Sequence, residues 1–375
     1  MDHIEFINKN IEGMLKELKE ISNFIHNNPE LGNKEYKAQD ILTSYLKENG
    51  FEVEKGLYNL DTSFKAVYDT HKPGKTICFM AEYDALAGLG HACGHNIIGT
   101  SSLGGGVMLK KLIKEYKVGG KVIVLGTPDE EVGSGKIKMI KEGAFKGVDH
   151  AILMHPTNAS VPDDISFASV NIEYTFLGKS AHAAAFPWIG KSALNSVIQM
   201  FNSVNAMRLH LKDYSRVHGI ITNGGQSYNS IPDKASCIFN IRSLEIADLE
   251  KLIVLMRNCA KGAAISTATE LRETQLTNII KNIKNDTKIV SLVRNNMIKF
   301  DEEFVERNLE QGIGSTDVGN VTHEISAIQY YIRLDKDIAT HTKEFEQASG
   351  DERGYRCLEQ AIKVNAATGF DLLTK

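Results

Sequence analysis

The sequence predicts an α/β protein with a mostly parallel sheet, into which a smaller ferredoxin-like (βαββαβ) domain is inserted. Nearly continuous apolar runs alternate with helical patterns in residues 1–166 and again in 277–375. Such runs are typical of parallel strands that are buried on both faces. In residues 167–276 the strands instead alternate polar and apolar residues, which indicates burial on one face only. We therefore expect one discontinuous domain, 1–166 with 277–375, and one inserted domain, 167–276.

The first part of the chain supplies two helices before the strands begin. Apolar residues recur at three- and four-residue steps from Ile4 to Ile25, which predicts a helix over 4–26, and Pro29 and Gly32 end it. A second helix is predicted over 34–49. The next expected elements are the strands 64–68, 75–81, 121–126 and 150–154 and the helices 97–116 and 134–142. The run Gly104-Gly105-Gly106 lies inside a helical pattern, which predicts close helix packing.

The inserted domain follows the order strand, helix, strand, strand, helix, strand. Its predicted strands are 168–177, 217–222, 234–241 and about 265–272, and its helices are 192–211 and 246–262. That order is a split βαβ unit. The chain then returns to the first pattern with a helix over 286–300, a buried strand over 327–332 and a last helix over about 343–366.

Composition excludes several classes of protein. Apolar residues make up 42% and charged residues 24% of the 375 positions, as in an ordinary globular protein, and the net charge of -4 lacks the basic footprint of a nucleic-acid binder. No apolar run is long enough to span a membrane, and the first residues do not resemble a signal peptide. Five irregularly spaced cysteines favour a reducing compartment, so we expect a cytoplasmic protein.

Candidate site residues follow four of the predicted buried strands. Because the carboxyl ends of parallel strands meet at one edge of a sheet, we expect these side chains to converge there. In chain order they are Asp84, Cys93, His95, Glu130, Glu131, His155 and His341. Several such residues converging at one edge indicate a functional site more strongly than any single motif does.

Thiolate and imidazole ligands favour zinc or a similar metal, and Cys93 and His95 are separated by a single glycine. The neighbouring carboxylates Glu130 and Glu131 repel each other unless a cation or a proton relieves them. One could bind metal while the other takes a proton from water. Each residue also has a plainer interpretation. Cys93 could be an ordinary buried thiol, and the two glutamates could lie at a solvated loop tip. His155 could be a core histidine, and Asp84 could cap a helix.

The inserted domain carries three further candidates. His182 lies in a loop of small residues before a helix, which would let a ligand approach, although most loop histidines are simply solvated. Asn229 lies in a turn-rich segment. Arg242 could hold a substrate carboxylate through two hydrogen bonds, or it could be a salt-bridged strand residue.

Taken in order, the motifs of this chain resemble one family. They are His-Asn-Asn-Pro-Glu-Leu-Gly at 26–32, His-Ala-Cys-Gly-His-Asn at 91–96, Glu130-Glu131, Ser-Ala-His-Ala-Ala at 180–184 with Pro187, Gly-Ser-Thr-Asp-Val-Gly-Asn-Val at 314–321, and His341-Thr342. With them the chain resembles the metal-dependent amidohydrolases of the aminoacylase and carboxypeptidase type (peptidase family M20) over nearly its whole length. It looks most similar to the branch that contains p-aminobenzoyl-glutamate hydrolase and β-alanyl-lysine-type dipeptidases.

The resemblance implies a metallohydrolase domain that binds two divalent metal ions, zinc first and manganese as the alternative, and an inserted lid domain that forms a homodimer. It implies the metal ligands Cys93, His95, Glu131, His155 and His341, with Cys93 between the two ions. Glu130 would be the catalytic base and Asp84 the residue that orients a ligand. His182 would reach the partner subunit's site and steady the oxyanion, and Asn229, Arg242 and Gly314 would contact substrate. In two departures, Asn96 stands where the auxin-conjugate hydrolase branch has Asp, and Glu82 where peptidase branches have a liganding His.

We therefore expect a hydrolase that cleaves the amide bond of an N-acyl (or aryl) amino acid or a small dipeptide by metal-activated water. Three other interpretations stay open at this point. The chain could be a non-catalytic relative that binds a metal or ligand, a deacetylase or deacylase acting on a different amide, or a structural subunit of a two-chain hydrolase. We expect neither nucleic acid nor membrane as a partner.

Overall fold

The computed structural model of the protein describes residues 2–310 and 312–375. Contacts within the chain divide it into two compact units. The large unit comprises the residues up to Ile165 together with Ile283–Lys375, and the inserted unit is Ser166–Asn282. Each unit has its own apolar core.

The large unit begins with two helices and then alternates strands with helices. Its elements before the insertion are α1 (His3–Asn27), α2 (Tyr36–Glu48), β1 (Glu52–Lys55), β2 (Phe64–Asp69), β3 (Thr76–Ala81), α3 (His95–Tyr116), β4 (Lys121–Gly126), α4 (Gly135–Lys141) and β5 (His150–Thr157).

The inserted unit contains β6 (Ala168–Leu177), α5 (Ala193–Met207), β7 (Arg216–Asn223), β8 (Lys234–Ser243), α6 (Ile246–Thr267) and β9 (Glu270–Gln275). Its four strands form an antiparallel sheet in the order β7-β8-β6-β9. Apolar side chains from alternate strand positions, such as Ile172, Tyr174 and Phe176, pack against the two helices. This is the ferredoxin-like βαββαβ arrangement that the sequence predicts.

The chain then returns to the large unit with α7 (Thr287–Lys299), α8 (Val318–Thr322), β10 (Ser326–Arg333), α9 (Lys343–Ser349) and α10 (Glu352–Thr374). The sheet of this unit has the order β1-β2-β4-β3-β5-β10. Strands β4, β3, β5 and β10 are parallel to one another. Strands β1 and β2 are paired antiparallel and lie at one side of the sheet. The mostly parallel α/β class predicted from the sequence is confirmed, and the carboxyl ends of four strands share one edge.

Three consecutive glycines let α3 pack tightly between the sheet and α10. A Cβ at Gly104 would lie 2.6 Å from Ile362, one at Gly105 would lie 2.8 Å from Asn365, and one at Gly106 would lie 2.6 Å from Val124. Side chains at these positions would push the layers apart. The glycine run therefore serves packing, as its helical context predicts.

Several element boundaries differ from the sequence predictions. Strand β1 is absent from those predictions, because its residues are mostly exposed and carry no apolar pattern. Helix α6 continues to Thr267, and β9 begins only at Glu270, so the strand predicted at about 265–272 lies partly in the helix. At the C-terminus the single predicted helix is two, because the chain breaks at Gly350 and the Asp351 side chain caps α10 by accepting the Arg353 N–H. Of the helices in the described ranges, none has the length and apolar character to cross a bilayer.

Candidate metal centre

The shared edge of the large unit's sheet carries the residues that the sequence singles out. Asp84 follows β3, Glu130 and Glu131 follow β4, and His155 lies near the end of β5. His95 begins α3, so the helix carries its imidazole into this edge. His341 lies beyond β10, just before α9.

Asp84 fixes the orientation of His95. Its Oδ1 lies 2.9 Å from Nδ1 of the buried imidazole, and its Oδ2 accepts the backbone N–H of Glu131 at 3.0 Å. Because a carboxylate accepts hydrogen bonds, Nδ1 carries the proton and Nε2 presents its lone pair. Asp84 therefore joins the helix that bears His95 to the turn that bears Glu131.

The same tautomer is set at His155. Its Nδ1 lies 2.8 Å from the carbonyl oxygen of Pro156, so Nδ1 donates and Nε2 presents a lone pair. That nitrogen lies 3.4 Å from the Cys93 sulfur. A thiol and an imidazole lone pair at this separation are suited to one metal ion.

His341 and Glu131 form a second pair of neighbouring candidate ligands. The distance from His341 Nε2 to Glu131 Oε1 is 3.8 Å. His341 has a left-handed backbone (φ 63°), and its N–H donates to the carbonyl of Ala92 at 2.9 Å. This bond links the histidine to the segment that carries Cys93 and His95.

The turn that carries the two glutamates is tightly held. Asp129 has φ 63°, its N–H donates to the buried Glu35 carboxylate at 2.9 Å, and its own carboxylate accepts the N–H of Gly133 at 3.0 Å. A Cβ at Gly133 would lie 1.7 Å from Asp129 Oδ2, so a larger residue there would displace this carboxylate. Burial raises the pKa of Glu35 to about 7.

Three overlapping groups of side chains have ligand atoms within 4.8 Å of one another. They are Cys93 with His95 and His155, Cys93 with Glu131 and His341, and His95 with Glu130 and Glu131. The first two groups share the Cys93 sulfur. In addition, His95 Nε2 and Glu131 Oε1 are buried polar atoms without a hydrogen-bond partner among the described residues. Orphaned ligand atoms that converge in this way fit a pair of bound metal ions.

The proton affinities of these groups are strongly perturbed. Burial, together with the negative charges of Glu82 and Asp317, raises the pKa of Glu130 well above its usual range. Burial raises the pKa of the Cys93 thiol to about 12 and lowers the pKa of His155 to about 4. Clusters of perturbed groups at a strand edge are typical of functional sites.

Sequence reasoning missed a buried ion cluster beside the candidate ligands. Lys136 Nζ lies 2.6 Å from Glu82 Oε1 and 2.7 Å from Asp317 Oδ1, and all three side chains are at most 2% exposed. Lys136 and Asp317 are 181 residues apart in the chain, so no local spacing reveals the pair. The one signal in the sequence was the position of Asp317 in the Gly-Ser-Thr-Asp motif.

Within the inserted unit, the structure brings His182 and Asn229 together. Residues His182 and Ser230 form an isolated β-bridge, and the Ala183 N–H donates to the Asn229 carbonyl at 3.0 Å. Nδ1 of His182 accepts the N–H groups of Ala184 and Ala185 at 3.2 and 3.1 Å. Its proton therefore lies on Nε2, on an exposed ring that can donate a hydrogen bond.

Arg242 lies apart from this pair. It is near the end of β8, whereas the loop with Asn229 leads into Lys234 at the beginning of that strand. Eight strand residues separate the two ends by roughly 26 Å. Arg242 Nε donates to Asn240 Oδ1 at 2.8 Å. Gly314, in the large unit, is exposed and lies three residues before Asp317.

The known proteins that this chain resembles are peptidases and related hydrolases. The peptidase dimerisation domain family of the M20 group matches residues 166–268. The chain is 31% identical over 384 residues to a mouse (Mus musculus) Xaa-Arg dipeptidase, covering 97% of this chain and 88% of that protein. It is 35% identical over 283 residues to one of the subunits of the p-aminobenzoyl-glutamate hydrolase of Escherichia coli (strain K12), covering 70% and 58% respectively.

Among solved structures, a dinuclear metal-binding peptidase of the M20 family from Bacillus subtilis shares the fold. The TM-score is 0.76 at 19% sequence identity, covering 97% of this chain and 99% of the other. The relationship to the dipeptidase extends over nearly the full length of both proteins. The chain therefore belongs to the M20 family of peptidases, hydrolases that cleave amide bonds.

Proposed function

We propose that the protein is a dinuclear, metal-dependent hydrolase that cleaves the amide bond of a dipeptide or an N-acyl amino acid. The observation that carries this proposal is the pair of ligand groups that share the Cys93 sulfur, next to a third group that contains Glu130. One ion would be held by Cys93, His95 and His155, and the other by Cys93, Glu131 and His341. The mixed sulfur, nitrogen and oxygen ligands favour zinc, with manganese as the alternative.

Each residue of the centre has a task in this reaction. Two divalent ions bound there would supply a water of lowered pKa and polarise the scissile carbonyl. Glu130 would accept a proton from that water and later donate it to the leaving nitrogen. Asp84 keeps the lone pair of His95 on Nε2, where it would bind the metal, and holds the turn of Glu131 in place.

The inserted unit is proposed to act as the lid and the dimer interface. Strand β7 lies at one edge of its sheet, and Ile220 and Ile221 on that strand are 56% and 47% exposed. A second copy of the chain could cover this edge and these side chains. In the homodimer, His182 with its proton on Nε2 would donate to the carbonyl oxygen of substrate in the partner subunit, and Asn229 beside it would contact the same substrate.

Arg242 and Gly314 are proposed as further substrate contacts. Burial lowers the pKa of the Arg242 guanidinium without removing its charge, so it can bind a substrate carboxylate. We also propose a cytoplasmic location, which is supported by the five free cysteines.

A pair of adjacent substitutions tests the mechanism. Glu130→Gln should keep both metal ions and lose about 10²–10⁴-fold in kcat, because it removes only the proton acceptor. Glu131→Gln should lose metal as well as activity. The assay measures amine release from dipeptides, including Xaa-Arg dipeptides, and from p-aminobenzoyl-glutamate, with metal content measured by elemental analysis. Full activity of Glu130→Gln on any cleaved substrate would refute the proposed base.

Mixed dimers test the role of His182. Subunits with Glu130→Gln and subunits with His182→Ala should each be inactive alone, yet a verified heterodimer should recover part of the activity through its one intact combined site. The absence of recovery would contradict action across the dimer while leaving the metal chemistry intact.

A further inference from the structure

One buried carboxylate outside the ligand groups lies on the metal-facing side of His95. Glu82 follows β3 directly and is 1% exposed. Its Oε2 lies 3.6 Å from His95 Nε2, the nitrogen that presents its lone pair, whereas Glu131 Oε1 is 3.8 Å from the same atom. Glu82 is therefore at least as close to the coordinating nitrogen as one of the proposed ligands.

The other oxygen of Glu82 is already engaged. Oε1 forms an ion pair with the Lys136 ammonium at 2.6 Å, and this ammonium donates a hydrogen bond to Asp317 Oδ1 at 2.7 Å. Asp317 Oδ2 in turn accepts the backbone N–H of Lys136 at 2.9 Å, so the ammonium is held from two directions. This arrangement fixes the Glu82 side chain with Oε2 towards His95.

A metal ion provides a physical reason for this contact. The His95 ring donates through Nδ1 to Asp84, and its buried Nε2 has no hydrogen-bond partner in the described part of the chain. A lone pair and a carboxylate oxygen facing each other repel, and both can be satisfied by one cation between them. Two ligand atoms at about 2.1 Å from a zinc ion in tetrahedral geometry lie roughly 3.4 Å apart, which is close to the separation in the structure.

We propose that Glu82 is a further metal-binding residue, which contributes Oε2 to the ion held by His95, and that Lys136 is the positioning residue for it. This inference rests on the proposed metal-dependent function. It adds a carboxylate to the centre without altering the roles of Cys93 and Glu130.

The buried cluster supplies a matched pair of variants. Glu82→Gln and Asp317→Asn each remove one negative charge, and each leaves Lys136 with one carboxylate partner. Both should therefore fold, because neither leaves an unpaired buried charge. Only Glu82→Gln replaces the carboxylate that faces His95. Glu82→Asp keeps the charge but withdraws the oxygen by one methylene, and it serves as a second variant.

The measurement is Zn²⁺ binding to the purified full-length protein after its metal has been removed with a chelator, followed by competition with a chromophoric chelator. We expect Glu82→Gln and Glu82→Asp to weaken one of the two sites by about 10–100-fold, and Asp317→Asn to have a much smaller effect. With Co²⁺ in place of Zn²⁺, the visible absorption spectrum of Glu82→Gln should change as well.

Two results would overturn the inference. Unchanged Zn²⁺ affinity in both Glu82 variants would remove this residue from the centre. An equal loss of Zn²⁺ affinity in Asp317→Asn would mean that the net charge of the buried cluster sets the affinity, and not the Glu82 oxygen. Cys93→Ser separates this failure from failure of the proposed function. If Cys93→Ser loses metal while the Glu82 variants do not, only the inference falls, whereas unchanged metal in Cys93→Ser overturns the centre itself.

Discussion

Gly94 separates Cys93 from His95, and its replacement by alanine tests how closely the metal centre is packed. The residue has a left-handed backbone with φ 75°. A Cβ there would lie 2.4 Å from Cγ of Pro156, the residue after His155, and 3.3 Å from the ring of Phe345. The substitution thus presses on the segments that bear three of the proposed ligands.

The stability that Gly94→Ala is expected to lose has two parts. Placing an L-residue in the left-handed region costs about 1–2 kcal/mol. The contact with the Pro156 ring is far inside van der Waals distance, and such overpacking costs about 1–3 kcal/mol, since neither the ring nor the backbone is flexible. Gly94→Ala should therefore reduce the free energy of unfolding by about 2–5 kcal/mol. It should also weaken Zn²⁺ binding.

Gly147 is the matched control for this prediction. Its φ is 76°, but a Cβ there would meet nothing within 4 Å. Gly147→Ala should lose only the backbone part, about 1–2 kcal/mol, and keep its Zn²⁺ affinity. Urea unfolding followed by far-UV circular dichroism measures both variants, because the single tryptophan, Trp188, belongs to the inserted unit and does not report on the large one. Equal destabilisation of the two variants would refute the packing argument.

Two further substitutions give quantitative expectations. Asp84→Asn should weaken metal binding by about 10–100-fold, because the amide no longer fixes the His95 tautomer, and chelator competition measures the loss. Glu35→Gln should alter the pH dependence of stability. The folded pKa of Glu35 is raised from 4.5 to about 7, so its proton stabilises the fold below pH 4.5 and that stabilisation is lost as the pH rises to about 7. Glutamine has no such loss, so the stability of Glu35→Gln relative to the parent should increase by roughly 3 kcal/mol over this range. A pH-independent difference in urea titrations would contradict the assignment.

The fold class was predictable because burial leaves a periodic signature. Strands such as β3 are apolar at successive positions and β6 alternates, so the sequence itself distinguishes the parallel sheet from the antiparallel one. Strand β1 and the start of β9 have no such signature, since both lie at sheet edges with mostly exposed side chains. The position of each is fixed by pairing with a neighbouring strand, β2 for β1 and β6 for β9.

The candidate site was predictable only in part, for a related reason. The ligand types could be collected from strand ends, because the direction of a parallel strand determines which end faces the site. The contact of Lys136 with Asp317 depends on side chains from α4 and the segment before α8, which approach each other only in the folded protein. Likewise, spacing alone could not show that the His182 loop pairs with Ser230, which precedes the end of β8 opposite to Arg242.

Left-handed backbone conformations position several residues of the proposed metal centre. Left-handed conformations occur at Gly94 between two ligands, at Asp129 immediately before the two glutamates, and at His341 itself. For a residue other than glycine, this conformation costs about 1–3 kcal/mol and persists only where the surroundings enforce it. Glu35 holds Asp129, and the Ala92 carbonyl holds His341. Part of the free energy of folding therefore maintains these backbone conformations, so metal binding need not order the turns. Loss of either hydrogen bond should reduce metal affinity before it unfolds the domain.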